Sequence, residues 1–180
     1  MSQDWTVADI ELGMDAALKA ARQGFDSQGE VPIGAATVRD GAVTSVRHTE
    51  EVGQRRRLVH ADFLALQDAD IAGLKTQERK ATALVLTLEP CLLCVGAATV
   101  FGVGHIHFAL ESPTDGAIEV ATAWSAKIGD LDGFSVPTIG SGTRRDESLE
   151  LLREFASTRS SGGLWRWTVD TLAKIDADLR

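Results

Sequence analysis

The sequence predicts an α/β sandwich built around a mixed β-sheet. Amphipathic helical segments alternate with short β-favouring runs, and one continuous apolar run has the character of a strand that is covered on both faces. The 180 residues lie in the size range of one domain with its own core. Because no repeat or linker divides the chain, we predict a single domain over residues 1–180.

Helical and strand periodicities set the order of elements in the first half of the chain. Thr6 and Asp9 form a candidate capping box ahead of the first helix. Asp40 and Gly41 have the composition of a tight hairpin turn between the first two strands. In chain order, the predicted elements are a helix across 10–25, strands at 33–38 and 42–46, a surface loop at 47–57, and a helix at about 59–71.

The second half of the chain continues the alternation of helices and strands. Residues 83–88 form the continuous apolar run. Pro90 suits the first position of a helix, because its missing N–H group has no hydrogen bond to lose there. In chain order, we expect a strand at 83–88, a helix at about 91–100, a strand at 104–109, a helix at 118–127, a loop at 129–142, and helices at 147–155 and 165–179.

Charge and apolar patterning exclude several classes of protein. The chain has 18 Lys and Arg against 26 Asp and Glu, so its formal net charge of −8 argues against a general nucleic-acid-binding surface. No apolar run approaches membrane-spanning length, and no signal segment opens the chain. We therefore expect a cytoplasmic protein with no membrane partner.

The two cysteines indicate a metal or redox site. Cys91 and Cys94 are too few and too close for a disulfide framework, and at i and i+3 on a helix their sulfurs share one face. In a first helical turn the helix dipole stabilises thiolates, which zinc prefers as ligands. A catalytic zinc keeps three protein ligands. Of the four histidines, His60 is the best candidate for the third, because it opens a helix thirty residues before the cysteine pair.

These residues and their neighbours carry a family resemblance. Residues 60–62 (His-Ala-Asp) and 90–94 (Pro-Cys-Leu-Leu-Cys) resemble the H-x-E and P-C-x-x-C pattern of zinc-dependent base deaminases. Residues 29–35 (Gly-Glu-Val-Pro-Ile-Gly-Ala) and 87–91 (Thr-Leu-Glu-Pro-Cys) are similar to the tRNA-specific adenosine deaminase and guanine deaminase branch. The resemblance extends over about residues 14–117.

The resemblance implies a fold, a metal and a reaction. The fold would be cytidine-deaminase-like, a three-layer α/β/α sandwich with a mixed sheet of about five strands. One zinc ion per chain would be held by His60, Cys91 and Cys94, and its hydroxide would attack an amidine carbon. Asp62, at the position of the family's Glu, would move protons, and Glu89 would contribute its backbone beside the metal turn. The protein would thus be a hydrolase acting on C–N bonds of cyclic amidines.

The expected substrate is a small molecule, either an amino-substituted nucleobase, a nucleoside or a related heterocycle, converted to its keto form with release of ammonia. The residues expected to contact it are Thr49, Ile33, Ala61 and His48, and Thr49 stands where the family commonly has a substrate-binding Asn. A homodimer is expected because family members generally pair. A nucleic-acid partner is not expected, because the last predicted helix is mixed in charge rather than basic.

Two alternatives to this function stay open on the sequence. Asp62 is one methylene shorter than Glu, a retreat of about 1.5 Å, which allows a catalytically weak or inactive metal-binding paralogue that serves as a partner subunit or a ligand sensor. The branch resemblance also allows a tRNA adenosine deaminase. Within the single domain we expect the deaminase-like core at about 5–117 and a helical C-terminal extension at about 118–180, whose role the sequence does not indicate.

Overall fold

A mixed sheet with helices on both faces forms the fold. The computed structural model describes residues 5–128 and 136–178, and within those ranges the sheet has five strands in the order β2-β1-β3-β4-β5. The strands are β1 (Gly34–Arg39), β2 (Ala42–His48), β3 (Ala83–Leu88), β4 (His105–Leu110) and β5 (Thr138–Ser141). The helices are α1 (Val7–Gln28), α2 (Glu51–Gln54), α3 (Ala61–Ile71), α4 (Thr76–Lys80), α5 (Leu92–Phe101), α6 (Ile118–Ile128), α7 (Arg145–Ser157) and α8 (Gly163–Asp178).

Strand direction changes across the sheet. β1 pairs antiparallel with both β2 and β3, whereas β4 runs parallel to β3 and to β5. Asp40 and Gly41 join β1 to β2 with positive φ angles of 52° and 74°, which is the hairpin turn predicted from this pair. The parallel strands are connected by the crossover helices α5 and α6. The carboxyl ends of β3 and β4 therefore lie at one edge of the sheet, beside the start of β1.

The two faces of the sheet bury separate apolar clusters. Leu84 and Leu86 of β3 pack towards α3 and α5, while Val85 packs towards α1 and α7. The first helix, α1, starts at the predicted capping box, in which the backbone N–H of Asp9 donates to Oγ1 of Thr6 at 3.1 Å. The predicted three-layer α/β/α arrangement with a five-stranded mixed sheet is confirmed.

A third apolar cluster joins α7 and α8 to the carboxyl ends of β3 and β4. It places the last helix beside the edge of the sheet at which those strands end. The buried members of this cluster are Val31, Leu88, Leu110, Leu149, Leu152, Phe155, Leu172 and Ile175.

Two local predictions about the middle of the chain were wrong. The polar stretch 47–57 is not a simple loop, because β2 continues through His48 and α2 comes directly after it. A helix of four residues is too short to show a helical periodicity in the sequence. Pro90 is not the first residue of α5, since Cys91 is the N-cap and Leu92 the first helical residue.

The loop predicted at 129–142 contains the edge strand β5. Gly140 lies in this strand, against the ring of His107 in β4. A Cβ at position 140 would lie 2.6 Å from Nδ1 of that ring, so the site leaves no room for a larger side chain. A glycine in a four-residue edge strand gives no alternating signal. Residues 129–135 of that predicted loop, and Leu179 at the end of the last predicted helix, lie outside the described residues. No helix among those described is both long and apolar enough to cross a bilayer.

Gly34→Ala is expected to destabilise the fold, because a Cβ at this position would lie 1.9 Å from the backbone oxygen of Ala17 in α1. Backbone cannot rotate away as a side chain can, so α1 has to withdraw from β1, and the free energy of unfolding should fall by about 3 kcal/mol. Gly41→Ala is the control: a Cβ there meets nothing within 4 Å, and only its φ of 74° costs about 1 kcal/mol. Urea unfolding followed by circular dichroism measures both, and equal losses would contradict the packing argument.

Candidate active site and metal centre

Three side chains at the starts of two helices form a candidate metal site. His60 is the N-cap of α3, Cys91 is the N-cap of α5, and Cys94 lies in the first turn of α5. Nδ1 of His60 lies 3.6 Å from Sγ of each cysteine, and the two sulfurs are 3.7 Å apart. Tetrahedral zinc, with bonds of about 2.3 Å to sulfur and 2.0 Å to nitrogen, holds such donor atoms about 3.6 to 3.8 Å apart. The donor types and their spacing therefore fit Zn²⁺.

Electrostatics at this cluster favours a thiolate at Cys91. The hydrogen bond with the Cys94 thiol, together with the one from His60, lowers the pKa of Cys91 to about 4 against the effect of burial. The hydrogen bond to Cys91 raises the pKa of His60 to about 9, and the hydrogen bond between the two sulfurs raises the pKa of Cys94. These contacts favour the thiolate form of Cys91, which is the form that binds a metal.

Asp62 brings a carboxylate to the same cluster. Its side chain is buried in the first turn of α3, and Oδ1 accepts a hydrogen bond from the backbone N–H of Phe63 at 3.0 Å. Burial raises the pKa of this carboxyl group, and a hydrogen bond with the Cys94 thiol opposes the shift. His60 can converge with Asp62 because it precedes the regular helix, with extended backbone angles of −69° and 148°. The shorter acid and His60 therefore line the same cavity.

A cavity of about 330 Å³ opens onto this cluster. Its volume lies near the lower limit for small-molecule sites, which matches one heterocycle rather than a larger ligand. His60, Asp62 and Cys91 line one end of the cavity. The other walls are largely apolar and come from the segment before β1, the end of β3 and the start of α8. Their apolar residues are Val31, Ile33, Leu88, Leu164 and Trp167.

The structure brings two of the four expected substrate contacts to the cavity wall. Thr49 and Ile33 line the cavity, and Oγ1 of Thr49 accepts a hydrogen bond from the backbone N–H of Ala61 at 3.4 Å. Ala61 and His48 are not among the lining residues. The ring of His48 packs against Gly24 of α1, with Nδ1 at 2.8 Å from the carbonyl oxygen of Thr49. Successive side chains of an extended segment point to opposite sides, so His48 turns away where Thr49 turns in.

Glu89 forms hydrogen bonds beside the metal turn through both its backbone and its side chain. Its backbone N–H donates to the carbonyl oxygen of Leu110 at 2.7 Å. Its carboxylate accepts hydrogen bonds from the backbone N–H groups of Ser112 at 3.0 Å and of Ile118 at 3.2 Å. The side chain thereby ties the loop after β4 to the start of α6, directly beside the metal turn.

Sequence reasoning missed two carboxylates on the cavity wall, Glu51 and Asp115. Oε1 of Glu51 lies 3.4 Å from Nε2 of His60, and its Oε2 lies 3.7 Å from Nη1 of Arg57, which also lines the cavity. Burial raises the pKa of Glu51. Asp115 accepts a hydrogen bond from the hydroxyl of Ser112 at 2.6 Å. The sequence offers one signal for Glu51: the polar stretch 47–57 that contains it comes just before His60 and α3.

Comparison with known protein families supports the assignment of His60, Cys91 and Cys94 to a zinc-binding centre. Residues 8–110 match the model of the cytidine and deoxycytidylate deaminase zinc-binding region. The chain belongs to this family. All three candidate ligands and Asp62 lie within the matched residues, so the zinc-binding type of centre is confirmed together with the family.

Several proteins of similar sequence have names that describe an activity on tRNA. A tRNA-specific adenosine deaminase of Agrobacterium fabrum is 31% identical over 144 residues, which covers 79% of this chain and 90% of that protein. Its counterpart in Bacillus subtilis is 35% identical over 106 residues, covering 59% of this chain and 65% of that enzyme. A tRNA(Ile)-lysidine synthase of Deinococcus radiodurans is 35% identical over 146 residues, or 81% of this chain. The chain spans only 24% of the length of that synthase.

Solved structures share the fold. One from studies of A-to-I editing by tRNA:A34 deaminases superposes with a TM-score of 0.65 at 28% identity, covering 77% of this chain and 96% of that one. The guanine deaminase of Nitrosomonas europaea superposes with a TM-score of 0.64 at 23% identity, covering 86% of this chain and 88% of that one. The cytidine-deaminase-like fold that the sequence resemblance implied is confirmed.

Replacing Cys91 or Cys94 with Ala is expected to abolish stoichiometric zinc binding and to lower the thermal unfolding midpoint, because metal binding is coupled to folding. His60→Ala should weaken zinc binding while leaving two thiolates as an incomplete site. Zinc content per chain by atomic emission, and the unfolding midpoint with and without chelator, measure both effects.

Asp62→Asn is the matched control for the ligand variants. It preserves the size of the side chain and should retain zinc at the parent's stoichiometry. If this variant lost zinc as completely as Cys91→Ala, Asp62 would be a fourth ligand. The site would then be closed and structural, which contradicts a catalytic centre with an open position.

Proposed function

We propose that the chain is a zinc-dependent hydrolytic deaminase of a small amino-substituted heterocycle. The observation that carries this proposal is the position of the Asp62 carboxylate and the metal-ligand cluster on one wall of a small cavity. In the reaction, water adds to the ring carbon that bears the amino group, the C–N bond breaks, and ammonia leaves with the keto form as product. When bound by His60, Cys91 and Cys94, zinc lowers the pKa of water and so supplies a nucleophile at neutral pH.

Asp62 moves the protons in this reaction. Its carboxylate takes one proton from the attacking water and delivers it to the ring nitrogen. It then takes the remaining proton from the added hydroxyl group and delivers it to the amine, which leaves as ammonia. Burial keeps the carboxylate out of contact with bulk water, so the proton is passed on within the cavity. An inactive metal-binding paralogue would have an acid too short to reach the centre. The position of Asp62 on the cavity wall together with His60 and Cys91 argues against that alternative.

The cavity walls favour a single flat ring as substrate. The apolar side chains of the wall and the ring of Trp167 suit the faces of a heterocycle. Thr49 offers one hydroxyl for the polar edge of the ring. Gly163 and Leu164 at the start of α8 complete the wall, which limits the volume available beside the metal-ligand cluster.

The relatives support a second candidate substrate, adenosine in tRNA. The Agrobacterium fabrum and Bacillus subtilis proteins carry that activity in their names, and an adenosine flipped out of an RNA loop would enter a cavity of this kind. The net charge of −8 and the acidic side chains of Glu51 and Asp115 at the cavity oppose a polyanionic substrate. We therefore place this candidate second.

Zinc-loaded protein is expected to release ammonia from at least one compound in a panel of free aminopurines, aminopyrimidines, aminotriazines and their nucleosides, and not from a tRNA anticodon stem-loop. Asp62→Asn should lower kcat by about 100-fold or more, because general acid–base catalysis contributes on that order. Asp62→Glu should retain turnover. An enzyme-coupled ammonia assay and mass spectrometry of the products measure these outcomes.

Two results would redirect this assignment. Deamination of the stem-loop with no small-molecule turnover would favour the tRNA candidate. A fully zinc-loaded parent that turns over nothing, combined with an Asp62→Glu variant that gains activity, would favour the inactive paralogue.

A homodimer through the outer faces of α3 and α5 accompanies this proposal. Leu92, Leu93 and Val100 of α5 are 63%, 38% and 69% exposed, and Phe63 and Phe101 border a groove beside them. A contiguous exposed apolar surface of this kind is typical of an association site. The partner is a second copy of the chain, because this surface begins one residue after the ligand Cys91 and the implied family pairing uses the helices that flank the metal.

Val100→Asp is expected to convert the homodimer into a monomer, because it buries a charge at the centre of an apolar contact. Sedimentation velocity at micromolar concentration measures the change. Val169→Asp on α8, where the parent side chain is 36% exposed, is the control and should leave the dimer intact. A monomeric parent protein would contradict the proposed pairing.

A further inference from the structure

We infer that Glu51 is a positioning residue for the metal ligand His60 and holds its imidazole ring from the side opposite the metal. Oε1 of Glu51 lies 3.4 Å from Nε2, while Nδ1 on the other side of the ring lies 3.6 Å from each cysteine sulfur. The inference rests on the proposed function only in taking His60 as a metal ligand, and it assigns a role to a residue outside the metal-ligand motif.

The chemistry of a ligating imidazole requires such a partner. A metal takes the lone pair of Nδ1, so the ring proton has to reside on Nε2. A carboxylate facing Nε2 favours that tautomer, fixes the plane of the ring and increases the electron density that the ligand offers to the metal. The Glu51 carboxylate is placed on the side of the ring where this contact is needed.

A buried carboxylate elsewhere in the chain holds Glu51 in position. Glu30 is fully buried, and its oxygens accept hydrogen bonds from the backbone N–H groups of Val52 at 3.0 Å and of Gly53 at 2.7 Å. These are the two residues that come after Glu51 in α2. A Cβ at Gly53 would lie 3.4 Å from Oε1 of Glu30, so α2 is in van der Waals contact with this carboxylate. The short helix is therefore fixed by specific contacts rather than free in solvent.

Hydrogen bonds join the two ends of the segment between β2 and α3, the helix whose N-cap is His60. The backbone N–H of Glu50 donates to the carbonyl oxygen of Val59 at 3.0 Å, and the backbone N–H of Ala61 donates to Oγ1 of Thr49 at 3.4 Å. The segment between β2 and α3 is thus closed at its base. This closure brings α2 alongside the residue that precedes α3.

The contact with His60 is the shielded one of the two that Glu51 makes. The side chain of Glu51 is 14% exposed and that of His60 is 30% exposed. Arg57 lies 3.7 Å from the other carboxylate oxygen but is 86% exposed, so solvent screens this pair strongly. We therefore assign the positioning role to the contact with the imidazole.

Zinc affinity of the E51Q variant tests the assignment. Competition with a chromogenic chelator should give a zinc dissociation constant about 10- to 100-fold higher than that of the parent, as found for outer partners of metal-binding histidines. The unfolding midpoint in excess chelator should stay at the parent's value. Glu50→Gln is the matched control: it makes the same change one residue earlier, at a carboxylate that does not contact His60, and it should bind zinc as the parent does.

Cobalt binding gives a second readout that a purely structural role would not change. The visible absorption of Co²⁺ in the E51Q variant should differ in intensity or position from that of the parent, because the imidazole is no longer held in one orientation. If E51Q does not fold, E51D keeps the charge, withdraws the carboxylate by one methylene, and should show the same loss of affinity.

Three results would overturn the assignment. These are an unchanged zinc affinity in E51Q, an equal loss of affinity in E50Q, or a loss matched by a lower unfolding midpoint in chelator. Because the readout is metal affinity, a zinc-loaded parent without any deaminase activity would refute the proposed function and leave this assignment standing on its own data.

Discussion

The meeting of two helix N-termini at one point determines the rest of this structure. His60 and Cys91 are the N-caps of α3 and α5, so the first turns of both helices lie around one cluster. The positive ends of two helix dipoles stabilise thiolate there, which offsets the cost of burying negative charge. β1 pairs antiparallel with both β2 and β3, so the ends of β2 and β3, which lead to α3 and α5, lie at the same edge of the sheet.

Buried carboxylates give the irregular segments around the cavity their fixed shape. Glu30 accepts hydrogen bonds from two consecutive backbone N–H groups of α2, and Glu89 accepts them from two backbone N–H groups that bracket the loop before α6. Each side chain thus holds its segment through two hydrogen bonds to the backbone. The irregular segments that line the cavity are therefore held in fixed positions by these hydrogen bonds.

The metal end of the site could be predicted from the sequence because its signals are local. The spacing of Cys91 and Cys94 and the helix start at His60 each concern a few neighbouring residues. The contact of Glu51 with His60 could not be predicted. The residues around Glu51 have the composition of a solvated loop, and the position of Glu51 depends on Glu30 in a distant segment. Trp167 lies at the cavity because α8 packs against the end of the sheet. The hydrophobic periodicity of α8 predicts a helix but not the place where it packs.

The cavity is assembled from two unequal stretches of the chain. The metal ligands, Asp62 and the segment before β1 lie in the first stretch, within residues 8–110, while Asp115 and the start of α8 lie in the second. Part of the cavity wall is therefore distant in sequence from the candidate metal ligands. Substitutions in the second stretch can reshape the space offered to a ring without moving any atom that binds the metal.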